Sequence, residues 1–320
     1  GDDRSKNTII STKRTAPEDD PSSKVDVDKI EAINKRGWSE KLAEYKKKPG
    51  SFLLFILVHL ATLITVLSIG FLLVYVLVKG IPNLNADIFS WEYTSDNCSL
   101  VPALINTVYM TLLSLLIAGP IGIFAAIYLV EYAKTGNKLV GIVRITAETL
   151  TGIPSIVYGL FGMLFFTNAC GLRLSLISGA LTLSIMVLPV IMRTTEEALM
   201  AVPKSYREGS FGLGAGRLRT VFKVVLPSAV PGILSGIILA TGRIVGETAA
   251  LIYTAGSVAK MATKLTDSTR TLAVHMYLLS KEGLHTDQGY ATAVVLLVLV
   301  VLINFASDKI AGKVAADKAN

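Results

Sequence analysis

Between Phe52 and Ala311 the chain is built from long apolar runs separated by shorter polar stretches. A bilayer-crossing helix needs roughly 20 mostly apolar residues. The runs predict six such helices, at about Phe52–Val78, Leu104–Leu129, Ile145–Thr167, Leu174–Met192, Ala229–Tyr253 and Ala291–Ala311. The predicted fold class is therefore an all-α polytopic membrane protein. Residues 1–50 read differently: "TAPEDDPSSKVDVDK" carries too little apolar surface to offset ordering entropy, which predicts a disordered tail. Within it, "SEKLAEYKKK" has the pattern of a short amphipathic helix near the membrane surface. A membrane domain over 51–312 and a short tail over 313–320 complete the expected organisation.

Charge sets the expected direction of these helices. Lys46, Lys47 and Lys48 precede the first span, whereas the loop after it holds only Lys79. Basic residues are enriched on cytoplasmic loops, so both termini are expected in the cytoplasm, with "EYAKTGNKLVGIVR" and the stretch from Arg193 to Leu226 as inner loops. The outer loop at about Ala255–Gly289 also carries four Lys and Arg and does not follow the rule. Its stretch "TRTLAVHMYLLSKEG" predicts a short amphipathic helix on the outer face.

Composition sharpens this reading. The 320 residues are 52% hydrophobic and 17% charged, below the quarter of charged residues usual in soluble domains. The net charge of +7 reports orientation before nucleic-acid binding. The polar opening at Gly1 has no signal-peptide pattern, so the first apolar run is expected to do the targeting. Cys98 and Cys170 fall on the same expected outer side, which leaves a disulfide open beside two free thiols. No metal site is expected: His59 sits alone in the first span as a helix-contact residue, and His275 and His285 are too sparse. Proline at 120, 154, 189 and 231 predicts kinks or helix starts, and Gly232/Gly236 and Gly242/Gly246 form two GxxxG pairs suited to close packing.

Two stretches carry candidate chemistry. "GRIVGETAAL" places Arg243 and Glu247 inside an apolar run, where a charge costs about 2.5–3.5 kcal/mol and ordinarily faces a partner, a cavity or a pathway. Four residues apart, they would share one helix face, with Arg243 about 21 Å into the span from Ala229. Arg193 and Glu196 repeat the arrangement at the inner end of the fourth span. Forked guanidinium donors match the oxygens of an oxyanion, and the carboxylates would neutralise them when the route is empty; structural pinning of helices is the other reading. Ser155 could add a hydrogen bond to substrate or serve as helix glue. "VPKSYREGSFGLGAGRLRTVFKVVLP" predicts a helix, a glycine break and a second helix: an apolar and basic knob suited to a soluble partner, or a connector lying on the surface. Nothing marks a catalytic site, and no GxxxxGK[ST] loop is present for nucleotide phosphates.

The spacing of Glu208, Gly209-Ser210, Gly214, Val224 and Leu226-Pro227 resembles the EAA coupling loop of type I ABC importer permeases. It departs where Gly209-Ser210 stand for the usual alanines and Val224 for isoleucine. "TGIPSIVYGLFGM", "VLPVIMRTTEEAL" and "GRIVGETAALIYTAG" are similar to PstA-type permeases of phosphate-specific ABC transporters, over about Phe52–Ala311. This resemblance implies an integral inner-membrane permease subunit, not itself an enzyme, carrying inorganic phosphate. It implies substrate-pathway or gating roles for Arg243, Glu247, Arg193 and Glu196. Tyr206, Glu208, Gly209, Ser210, Gly214, Val224, Leu226 and Pro227 would grip the ATPase. It further implies a PstC-like permease partner, a PstB-like ATPase dimer that binds the ATP and Mg, an external PstS-like phosphate-binding protein, and no cofactor in this chain. Sulfate or molybdate as cargo, or an ion-coupled secondary transporter, are the alternatives.

Overall fold

The computed structural model describes residues 49–134 and 136–316; the amphipathic helix expected in "SEKLAEYKKK" lies outside them. The described residues divide at 70/71 into two units, each taken by itself. The regular elements among the described residues are all helices, with no strand. In chain order they form α1 (Pro49–Gly80), α2 (Val101–Ile127), α3 (Lys138–Thr151), α4 (Ser155–Gly162), α5 (Leu176–Ala201) and α6 (Lys204–Gly212). These are followed by α7 (Arg217–Thr220), α8 (Leu226–Val245), α9 (Ala249–Thr254), α10 (Leu272–Glu282) and α11 (Thr286–Ala316). Three π-helical turns extend these helices, at Tyr128–Tyr132 after α2, Met163–Ala169 after α4 and Val221–Val225 between α7 and α8.

Five stretches are long and apolar enough to cross a membrane unaided: Gly50–Asn83, Val101–Tyr132, Leu176–Ala201, Arg217–Val245 and Thr286–Ser307. The expected third span is a bent pair, Lys138–Thr151 and Ser155–Ala169, meeting at 104°. Pro154 is the cause, because it drives Ile153 out of the helical region and has no N–H to donate. The Tyr158 hydroxyl donates to the Leu150 carbonyl at 2.7 Å and ties the two limbs. Most of "EYAKTGNKLVGIVR" is accordingly not a loop. Asn137 caps α3 by accepting the Leu139 N–H, and the helix begins at Lys138.

Residues of α2, α5, α8 and α9 make the central core, where Met110, Leu183, Met186, Ile191, Ile244 and Leu251 are fully or almost fully buried. A second cluster joins the ends of α2, α5 and α8 nearest the α6–α7 elbow through Ile127, Met192, Leu199, Val225 and Ile233. The two GxxxG pairs part company here. Gly232 and Gly236 lie against α5: a Cβ on Gly232 would stand 2.6 Å from the Ala198 Cβ, and one on Gly236 would fall on the Thr194 hydroxyl. Gly242 has nothing within 4 Å. In α1, His59 Nδ1 donates to the Phe55 carbonyl of its own helix at 2.8 Å.

The segment between α9 and α10 is pinned by Asn106 of α2, which is fully buried. Its amide donates to the Lys260 carbonyl at 2.9 Å and the Arg270 carbonyl at 3.3 Å, and its oxygen accepts the Ala262 N–H at 2.9 Å. The predicted amphipathic helix forms as α10, with Leu272, Val274, His275 and Leu279 on its buried side. Cys98 is buried near this helix, whereas Cys170 is exposed beyond α4, and both are free thiols, so the disulfide left open by the sequence is not formed. The two cysteines end different elements: Cys98 is held by a hydrogen bond from its thiol to the Ser95 carbonyl, in a loop that leads into α2.

His275 predicts a pH dependence. Burial first, then the positive charge of Arg270, lowers its pKa from 6.5 to about 3, against the opposing hydrogen bond with the Cys98 carbonyl. Between those values the unfolded chain binds a proton that the folded one does not. Stability is therefore complete above about pH 6.5 and is lost on acidification toward pH 3, by up to about 1.4 kcal/mol per pH unit. Thermal unfolding in detergent from pH 7.5 to 4.5 should show this slope, and His275→Gln should flatten it; equal slopes in both proteins would remove His275 as the cause.

Candidate functional site

The glycine-broken knob predicted from sequence is present as α6 and α7. Pro203, extended at φ −55° and ψ 138°, caps α6, which ends at Gly212. Its closure is a Schellman turn: the Gly214 N–H donates to Phe211 and the Ala215 N–H to Ser210. Gly214 takes φ +81°, which only glycine adopts without strain. Of Gly212, Gly214 and Gly216, it is the one whose backbone demands glycine. Leu213 is 91% exposed and Tyr206, Phe211 and Leu218 are also exposed, a cluster of apolar side chains on a polar elbow. Such a surface suits a protein partner. Glu208 is exposed beside them and lines a groove of about 810 Å³ with Lys204, Arg207 and Arg217. Gly209 is likewise exposed; Ser210 is half-buried, and its hydroxyl meets that of Thr220 at 2.9 Å. Val224 lies in the third π-turn, Val221–Val225, and Leu226 and Pro227 open α8.

Arg193 and Glu196 are not paired with each other. Arg193 Nε donates to Glu197 one turn on at 3.1 Å, and Arg193 Nη1 stands 3.9 Å from Glu148 of α3. Glu196, 6% exposed, instead pairs with Arg144 of α3. Spacing explains the difference: at i+4 the Glu197 carboxylate lies over the Arg193 side chain, while Glu196 turns toward α3. The five charges line a cleft of about 250 Å³ between α3 and α5. Arg193, Glu197 and Glu148 are more than half exposed, so their pairs contribute little stability and are free to exchange.

Arg243 and Glu247 do not share a helix face. The expected fifth span stops at Val245, Gly246 caps it, and the chain restarts as α9 at Ala249. Glu247, 8% exposed, turns away to accept the Ala250 N–H at 3.1 Å and so caps α9. Packing enforces the break: Gly159 of α4 approaches Ala250 so closely that a Cβ would stand 2.8 Å from the Ala250 Cα. Arg243 is left half-buried in the last turn of α8, with no ion pair or hydrogen bond to another described residue. A helix C-terminus favours a cation but does not neutralise it.

Residues 118–316 match the model of the binding-protein-dependent transport system inner membrane component. A probable ABC transporter permease of Bacillus subtilis, YqgI, is 33% identical over 77% of this chain and 90% of its own. The chain belongs to this permease family. PstA, the phosphate transport system permease of Xylella fastidiosa, is 39% identical over 55% of this chain; the aligned region is 62% of that protein. A second PstA, from Mycobacterium bovis, is 34% identical over 73% of this chain and 78% of its own. Among solved structures, an alginate ABC transporter overlays with a TM-score of 0.60 at 17% identity, over 83% of this chain and 98% of that one. The inward-facing methionine transporter MetNI overlays with a TM-score of 0.55 at 24% identity, over 67% and 95%. Both likenesses concern the fold. The protein is thus an ABC importer permease subunit, integral to the membrane.

Sequence reasoning singled out Arg193, Glu196, Arg243 and Glu247 but missed Arg144, Glu148, Arg207 and Glu131. The first two were readable as charges at i, i+4 in "RITAE", had the predicted third helix begun before Arg144 rather than at Ile145. Glu131 and Arg207 are 76 residues apart, and no local signal links them.

Proposed function

We propose that this permease forms half of the pathway of an ATP-driven importer of inorganic phosphate. The observation that carries the reading is Arg243, a half-buried guanidinium without a carboxylate partner among the described residues. A cation so placed favours a mobile anion over a fixed one, and its forked donors fit phosphate oxygens. PstA-named relatives support phosphate over sulfate or molybdate. Weak, transient contacts suffice in such a pathway, since cargo must leave as readily as it enters. Arg193 and Glu196, in the cleft between α3 and α5, serve as gating charges; Glu247 acts by holding the α8–α9 break that presents Arg243.

In this reading α6 and its exposed apolar side chains seat in a separate PstB-like ATPase dimer, which binds the ATP and Mg. A PstC-like permease supplies the other half of the pathway, and a PstS-like protein delivers phosphate from outside. Both termini are cytoplasmic. The test is isolation of the intact assembly. An ATPase should co-purify with this chain and be lost or weakened, about tenfold or more, in Glu208→Ala or Gly214→Val, the latter because a branched residue at φ +81° costs on the order of 1–2 kcal/mol. Phosphate, and not sulfate or molybdate, should stimulate ATP hydrolysis. Uphill uptake by the chain with no nucleotide hydrolase present would refute the coupling.

A further inference from the structure

We infer that Arg207 and Glu131 form a strut that carries movement of α6 into the membrane helices, a positioning role that rests on the coupling function proposed above. Nearly every residue of α6 is exposed; only Arg207 and Ser210 are half-buried. The helix therefore has little apolar hold on the bundle, and its attachment is polar.

Arg207 uses all three guanidinium nitrogens. Nε and Nη2 both donate to Glu131 Oε1, at 3.0 and 2.6 Å. Nη1 donates to the Val202 carbonyl at 2.9 Å, and Nη2 also to the Leu199 carbonyl at 2.9 Å. One side chain thus clasps the last carbonyls of α5 and the far end of α2 together. Glu131 is 8% exposed, and Arg207 is its ion-pair partner among the described residues. Buried this way, neither charge can let go without leaving the other uncompensated. The second tie is the Ser210–Thr220 hydroxyl contact at 2.9 Å, which joins α6 to α7.

Both ties land on or beside π-turns. Glu131 lies within Tyr128–Tyr132, and Thr220 immediately precedes Val221–Val225. A π-turn holds an extra residue that a helix can absorb or release, and such turns cluster at functional positions. A push on α6 therefore reaches α2 and α5 through Arg207 and α8 through Thr220, each at a place where the helix can change register.

Lysine cannot reproduce this clasp, because a single ammonium cannot span three acceptors in the geometry of a guanidinium plane. The experiment uses the complete assembly in vesicles, reading inorganic phosphate uptake and ATP hydrolysis together. In Arg207→Lys the ATPase should remain bound, as judged by gel filtration, while phosphate carried per ATP falls about tenfold, the size expected for loss of a charged hydrogen bond. Glu131→Gln should fall in the same direction, and exchanging the charges (Arg207→Glu with Glu131→Arg) should recover several-fold over either charge-altered single variant. A wild-type ratio in Arg207→Lys overturns the strut, as does loss of uptake only in proportion to loss of the bound ATPase. If Glu131→Gln fails to accumulate, the Arg207→Lys ratio alone decides. A wild-type assembly that never couples phosphate to ATP refutes the importer reading instead, so the two failures are distinct.

Discussion

Arg243→Gln is expected to abolish phosphate uptake while leaving the protein folded and assembled with its partners. Glutamine keeps much of the length and some hydrogen-bonding capacity but removes the charge and the paired N–H fork. Losing two charge-assisted hydrogen bonds to a transient anion, each worth about 1.5–3 kcal/mol, corresponds to a loss of about 10²-fold or more. Folding should be spared, because Arg243 makes no ion pair with a described residue and its removal orphans no buried carboxylate. Glu247→Gln should act more mildly, since an amide oxygen can still accept the Ala250 N–H and cap α9. Uptake by vesicles, with gel filtration of the same preparations, checks both; wild-type rates in Arg243→Gln would make the charge merely structural.

Gly236→Val should produce the largest loss of stability. The new Cβ falls on the Thr194 hydroxyl, which already donates to the Val190 carbonyl at 2.9 Å inside α5. Neither helix can retreat easily, because the same seam is held one turn away by Gly232 against Ala198. Overpacking of this kind costs typically 1–3 kcal/mol, and here it should lower the thermal midpoint by several degrees. Gly242→Ala supplies the contrast. Nothing lies within 4 Å of that position, so replacing a helical glycine there should be neutral or stabilise by up to about 1 kcal/mol. Thermal unfolding of the two variants side by side is decisive: equal effects would mean that α5 and α8 do not meet at Gly236.

Much of the fold is legible along the chain because apolar run length is a local property. A stretch of some 20 apolar residues declares a span wherever it sits, and α1, α2, α5 and α11 follow their predicted runs. The elbow was equally readable: Gly214 is needed for its own φ, and the exposed apolar side chains of α6 and α7 stand in sequence order. The third run bends by 104° at Pro154, where a kink or helix start was expected, whereas the fifth was carried through Gly246 to Tyr253, past the end of α8 at Val245. In both places hydropathy continues while the backbone does not, since lipid preference sums over side chains and helix continuity depends on single residues.

Charge pairing was the least legible layer. Arg243 with Glu247 and Arg193 with Glu196 looked like partners because they are neighbours on an ideal helix. The break at Gly246 turns Glu247 toward the α9 amides, and the approach of α3 offers Arg144 to Glu196. What the sequence by itself determined is which segments cross the membrane, where the elbow bends and which residue types could meet an anion or a partner, all consequences of local composition and backbone freedom. Only the tertiary structure decided which cation meets which carboxylate: ion-pair reach is about 4 Å, and the groups that come within it arrive from helices far apart in the chain.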